Sequence, residues 1–404
     1  MRALTLTALA ASIMACSAQG ETQYAEQVNT LARELLPSVE RAVGLEFRYE
    51  PAIAIRTKEQ VHDYLMGKIS TDFPQQEMQD ITLAYRLFEL IPDDLDLQQL
   101  VIDLYTEQVV GYYDPELDSL FVVDGADPMQ LRLIVAHELV HALQAQYVAL
   151  DSLLSARGDN DRRMAAQAVF EGQGILASLV ALAPDRDFSA VPEFWKQYRQ
   201  SVRMAQESMP VFSSAPLILR ESLIFPYLGG ADFVRWFDME YPDQVPFGEY
   251  LPVSTEQILH PDRYQASDQP VRMTFESVAG LIFQDGMGEF DTRVFMTELS
   301  GNESTGAAAA TGWGGDRYAV LEVGSDHALV WWTVWDTPQA SRRFATVLER
   351  EWPRRAERRR EHRVVREQLG ARPAVLFVNA PAGWSGLDRP PRVTVQTAAT
   401  VEQR

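Results

Sequence analysis

His137-Glu138-Leu139-Val140-His141 constrains this 404-residue chain more than any other segment, because two imidazoles four positions apart share one face if the segment is helical. The flanking residues predict that helix. Asp127 before Pro128 reads as an N-cap followed by the favoured first-turn proline, and Leu131, Ile134, Val135, Leu139, Val140 and Leu143 continue an apolar pattern at helical spacing. Both imidazoles then reach one tetrahedral metal ion, with the Glu138 carboxylate beside the open coordination position. The bland alternative is a helix with two unrelated histidines. With six histidines in the whole chain, the coincidence of pattern and helix argues against it.

A zinc ion of this kind needs a third protein ligand, whose type separates the possible classes. A glycine three residues after the second histidine and a histidine three further on would make a metzincin, but Gln144 and Tyr147 stand there. The other source is a glutamate on the following helix. From Met164 to Pro184 the chain reads MAAQAVFEGQGILASLVALAP, in which Glu171 is the only charged residue. A carboxylate in so apolar a helix is costly unless paired, and a metal on the neighbouring helix would pair it. Arg162, Arg163 or a solvated strip are the alternatives. Gly172 and Gly174 weaken this helix but would let it approach the motif helix closely.

Upstream, residues 108–113 and 119–123 are strand-like runs around the turn-forming Asp114-Pro115-Glu116-Leu117-Asp118. Such a hairpin could offer an edge strand to an extended peptide, although many hairpins bind nothing.

The succession VVGYYDPELDSLFVV, HELVHALQ, VFEGQG, PVSTEQILHPDRY, GWGGDRYAV and WDTPQASRRF, over roughly residues 105–347, resembles a largely uncharacterised group of bacterial, often lipid-anchored zinc metallopeptidases of the glutamate-zincin type. The mixture of helical and strand-like segments reads as an α+β fold, as a zincin-like core requires, and the resemblance implies that His137, His141 and Glu171 hold one zinc ion per chain with Glu138 as the catalytic base. The chain departs from that pattern at Gln173-Gly174, where an acidic residue and alanine are common. The implied reaction is hydrolysis of a peptide bond by a metal-bound water activated by Glu138, on a peptide or protein substrate. A different class stays open, a zincin-fold lipoprotein serving as an envelope assembly or binding factor. A hydrolase of non-peptide bonds would share the same ligands. An oxyanion donor is also required, for which Tyr112, Tyr113, Tyr227 and His260 are candidates. Of these, Tyr113 and His260 are the expected catalytic residues. Tyr112 and Tyr113 alternate faces of a strand, so one at most points at the metal. Hairpin packing and a backbone-bonded loop histidine are the competing roles. His62, His327 and His362 lack ligand spacing.

The N-terminus bears on location. Met1-Arg2 is a short positive start, Ala3 to Ala15 is mostly small and apolar, and Ile13-Met14-Ala15-Cys16 has the form of a lipobox around the chain's sole cysteine. Residues 1–15 are therefore expected to be a signal peptide and Cys16 the lipidated first residue. Ser17, by resemblance to Gram-negative sorting rules, suggests the outer membrane facing the periplasm. A formal charge of −21 argues against nucleic acid and against electrostatic attraction to anionic lipid. No later run reads as long enough to cross a bilayer, so membrane contact rests on the lipid.

The expected organisation is a tether at 16–30, a zincin-like catalytic region at 31–300 with its core at about 106–184, and a mixed α/β C-terminal region at 301–404. Helices are expected near 31–43, 58–69, 76–91 and 96–105, with a last helix at 281–299 and a linker at 301–315. Strands are expected at 318–323, 328–334, 374–379 and 392–396, with a helix at 338–351. Arg354 to Arg363, with interleaved glutamates, reads as a solvated helix face.

Overall fold

A computed structural model describes residues 4–396 apart from 73–74, 126–127, 155–157, 189–190, 277 and 355–359, and describes no side chains at 4–22, 69–72, 128–129 and 151. The Asp127 cap and the Cys16 side chain thus lie outside the described residues. The architecture is α+β. Its N-terminal part is built on the helix predicted around the histidines, which spans Pro128–Ala145 and is called the motif helix below. Leu131, Val135, Leu139, Val140 and Leu143 are all buried, as their helical spacing demands. Against them pack Val28, Ala32, Leu35, Val39 and Val43 from a long helix, Leu4–Val43. This helix begins before the expected Leu31, because the apolar stripe already runs from Val28.

Strands β1 (Ala52–Arg56), β2 (Gly111–Asp114) and β3 (Ser119–Val123) form a sheet in the order β1-β3-β2, with β1 parallel and β2 antiparallel to β3. The expected hairpin is β2-β3, and among the described residues the outer edge of β2 is unpaired. The sheet lies close over the motif helix. A Cβ at Gly111 would stand 2.6 Å from Ile134 Cγ2 and 3.6 Å from Glu138 Cγ, so β2 touches the helix beside the motif.

The helix that carries Glu171, Asn160–Leu182, called the ligand helix below for that candidate ligand, has buried residues on nearly every side. By length and composition it could cross a membrane, contrary to the sequence expectation, but it is a core helix, packed by the motif helix, the N-terminal helix and a third helix, Leu217–Glu240. The closest approach is to this third helix: a Cβ at Gly230 would stand 1.8 Å from the Ala168 carbonyl oxygen, and one at Gly172 would stand 2.2 Å from the Gly230 carbonyl carbon. Only glycine permits backbones so near.

The C-terminal part is a five-stranded antiparallel sheet in the order β5-β6-β7-β9-β8, from β5 (Leu281–Asp285), β6 (Trp313–Val323), β7 (Asp326–Trp335), β8 (Arg360–Leu369) and β9 (Arg372–Pro381). Alternation sends Tyr318, Val320 and Trp331 into the core shared with the helices, and Ala319, Leu321 and Trp332 to the other face. There they meet the two-stranded pair β4 (Met273–Thr274) and β10 (Thr394–Val395). The helix Pro338–Glu351 matches its prediction.

Three local expectations are corrected. Residues 281–299 are not one helix, since Leu281–Asp285 pairs with β6 and a helix Gly288–Ser300 follows, separated by Gly286 and the left-handed Gly288 (φ 76°). Residues 301–315 are not a bare linker: the alanine-rich run forms a helix, Glu303–Ala310, capped by Asn302. Arg360–Arg363 lies in β8, where the charged residues alternate with partly buried ones at period two and pair with β9.

The C-terminal part also holds the start of the ligand helix. Asn160 N–H donates to Asp285 (3.1 Å) and its side-chain amide to Asp291 (2.8 Å), while buried Asp161 accepts from Thr255 N–H (2.8 Å) and its hydroxyl. Asp316 on β6 accepts from Met287 and Gly288 N–H and from both Trp313 and Trp331 indoles, which sets the next helix.

Candidate metal centre

The motif helix brings His137 and His141 together with ring centroids 4.6 Å apart and planes at 89°. Their Nε2 atoms are 3.1 Å apart, and Glu171 Oε2, reaching over from the ligand helix, lies 3.2 Å from one and 3.4 Å from the other. These three atoms could hold a metal ion. The fit can be tested numerically: tetrahedral bonds of about 2.0–2.1 Å set neighbouring ligand atoms roughly 3.3–3.4 Å apart, which the observed triangle approaches on every edge. Three lone-pair donors converging on one point repel one another unless a proton or a cation lies between them. In the metal-free state that role falls to a proton. Burial pushes His141 down, but the Glu171 carboxylate outweighs it and lifts the imidazole to about 9. Burial likewise pushes Glu171 up, and the two histidines override it and hold it well below the usual carboxylate range. The Arg162 or Arg163 pairing considered for Glu171 is replaced by this histidine pair.

Behind the triangle the sequence departure acquires a meaning. His141 Nδ1 is 2.9 Å from Gln144 Oε1, and the Gln144 amide nitrogen donates to Phe170 O (3.1 Å) and Gln173 Oε1 (2.9 Å). With both its protons so used, the Gln144 amide must present oxygen to His141, which places the ring proton on Nδ1 and leaves Nε2 as the ligand atom. Gly174 gives room to the other histidine, since a Cβ there would stand 2.6 Å from His137 Cε1. Gly172 faces the third helix instead, so one of the two glycines, not both, serves the approach to the motif helix.

Glu138 is 8% exposed. The Tyr113 backbone N–H bonds its carboxylate; burial raises its pKa while the two histidines pull it back. The Tyr113 side chain does not join the site: its hydroxyl donates to Asp118 (2.7 Å) inside the hairpin. Tyr112 packs between Tyr64 and Phe121 and is bonded by Arg56. His260 ends the helix Thr255–Leu259 and pairs with Glu289 (2.7 Å), a bond that raises its pKa, so it too stands apart from the triangle. Tyr227 is the candidate brought in. Its ring lies 6.3 Å from that of His137, and the Glu171 charge, then burial and Glu138, raise its hydroxyl far above the ordinary value. Tyr105 and Tyr198 also feel Glu171, after the larger effect of burial, and carry no motif that would have marked them in the sequence. A second acidic group, Glu256, Asp268 and Asp336, is served by the chain's own cations: Arg263 reaches Asp268 (2.9 Å) and Asp336 (2.6 Å), and Arg372 reaches Asp336 (3.2 Å).

Residues 277–403 match a family described as Domain of unknown function DUF8575, which takes in the five-stranded sheet and not the triangle. No curated protein matches the chain. Among solved structures, a candidate hydrolase with a novel fold from Chloroflexus aurantiacus is similar at 17% identity and a TM-score of 0.39, covering 61% of this chain and 90% of that one. At that similarity neither fold nor chemistry transfers.

Proposed function

We propose that the protein is a zinc-dependent metalloendopeptidase of the bacterial envelope, with a zincin-like core formed by the β2-β3 hairpin, the motif helix and the ligand helix. The observation that carries this is the His137–His141–Glu171 triangle with a fourth ionisable group, Glu138, beside it and outside it. A purely structural site has no use for that carboxylate. Zinc, when bound, would supply Lewis acidity at the open side of the triangle. Glu138 takes a proton from water and passes it to the departing nitrogen, a role suited to a carboxylate whose pKa burial has raised. Apart from the Tyr113 N–H that Glu138 accepts, the outer edge of β2, unpaired by any strand among the described residues, offers backbone groups to an extended substrate. Tyr227, kept protonated by the surrounding negative charge, can donate to the developing oxyanion. Lipidation at Cys16, proposed from the lipobox, would hold the enzyme at the membrane, and mass measurement of the N-terminal peptide reads it directly.

The test separates ligand from base. Glu171→Ala should lose zinc, whereas Glu138→Gln should keep about one zinc per chain and lose turnover of an unfolded protein substrate. Equal hydrolysis by wild type and Glu138→Gln would transfer the assignment to the binding-factor alternative.

A further inference from the structure

One turn of the ligand helix before Glu171 begins the lining of a cavity of about 520 Å³, within the range of pockets that enclose ligands and far larger than a hydration gap. Its walls are apolar, with Met78, Leu97, Val101, Leu219 and Leu223 among them. Three features connect it to the reaction proposed above. First, Asn160, Arg163, Met164 and Gln167 line it from the ligand helix, at spacings that put them on the face carrying Glu171. Gln167 precedes Glu171 by one turn, about 6 Å along the axis, and Asn160 lies about 16 Å away, so the cavity follows that helix from one turn short of Glu171 toward its N-terminus. Second, β2 passes Glu138 and leads into the turn whose Glu116 meets Lys68 (3.1 Å) at the cavity rim. A peptide extended along β2 past Glu138 would therefore head for the Lys68–Glu116 side of the cavity. Third, the cavity has a polar inner end. Asp291 is 3% exposed, its Oδ2 accepts from Asn160, and its Oδ1 has no hydrogen-bond partner among the described residues. A buried acceptor left unpaired is costly, and a donor arriving with the ligand would relieve it.

We propose that this cavity is the specificity pocket of the enzyme and takes a large aromatic side chain with a donor at its tip, tyrosine or tryptophan, next to the scissile bond. The proposal rests on the peptidase reading for its reaction, but the pocket can be examined apart from it.

The experiment uses zinc-loaded full-length protein and internally quenched peptides differing only at the residue flanking the cleaved bond. The expected order of kcat/KM is tyrosine, phenylalanine, leucine, alanine, with tyrosine above alanine by about 100-fold. Leu223→Trp and Gln167→Trp, which fill the cavity from the third helix and from the ligand helix, should each reverse that order at unchanged zinc content, and Asp291→Leu should erase the advantage of tyrosine over phenylalanine. A flat profile, or one untouched by both filling variants, overturns the pocket. If no peptide is cleaved, fluorescence anisotropy decides it: tyrosine peptide bound by wild type and lost in Leu223→Trp supports the pocket while the peptidase reading falls. Equal binding of tyrosine and alanine peptides, or of neither, overturns the pocket as well.

Discussion

Gly230→Ala should damage the proposed metal centre from a distance, and the structure gives the size of the effect. The added Cβ would stand 1.8 Å from the Ala168 carbonyl oxygen and 2.7 Å from its carbon, both backbone atoms of the ligand helix. A carbon–oxygen contact settles at about 3.3 Å, so the two helices must part by roughly 1.5 Å, with no rotamer to absorb it. Metal–ligand distances tolerate only about 0.2 Å, and Glu171 rides on the helix that moves. Alanine gains about 1 kcal/mol of helix propensity, while overpacking at a backbone contact costs about 3 kcal/mol, leaving a net loss near 2 kcal/mol. Zinc affinity should fall by at least the roughly 10- to 100-fold typical of disturbing a ligand's support. Gly229→Ala is the control, because its Cβ meets the Phe225 ring at 2.6 Å, side-chain atoms that can shift. Urea midpoints followed by circular dichroism, and zinc competition against a chelating dye, measure the two effects. Wild-type values for Gly230→Ala, or losses no larger than those of Gly229→Ala, would refute the reasoning.

Two further outcomes are expected. Gln144→Leu removes the acceptor on His141 Nδ1 and should lower zinc affinity about 10- to 100-fold in a chelator competition while leaving the fold intact; unchanged affinity would show that the Gln144–Gln173 contact is mere packing. The metal-free protein should lose stability as pH rises from 6 to 9. His141, raised to about 9 once Glu171 outweighs burial, stabilises the fold fully below its unfolded pKa and loses that contribution as pH passes about 9. Asp291 (about 7) and Glu256 (about 9), raised chiefly by burial, add the same slope, because each is bound to its proton in the fold at a pH where the unfolded chain has released it. Glu171 opposes them only in acid. Zinc takes the place of the His141 proton, so the loaded protein should show a shallower slope; urea midpoints that rise between pH 6 and 9 without metal would contradict the assignment.

Glu171 shows how far the sequence alone reaches. A single charge in an apolar helix demands a partner, and the demand is readable because burial follows from composition over a continuous stretch. The two histidines, the motif helix, the β2-β3 hairpin and the helix Pro338–Glu351 were legible for the same reason: each is set by spacing within about twenty residues. The same local reading misassigned residues 281–285 and 360–363, whose strand character comes from partners some forty and twenty residues away. It also favoured Tyr113 and His260 over Tyr227, since composition says that a tyrosine exists but not where its hydroxyl points; Asp118 and Glu289 take the first two, and the Gly172–Gly230 crossing delivers the third helix to the site. What the sequence by itself determined was the chemistry of the donor set and the helices that carry it, because periodicity and side-chain type act locally. Which hydroxyl, amide and cavity surround that set was decided by the tertiary structure alone, because those contacts join residues far apart in the chain whose meeting depends on how closely whole helices pack.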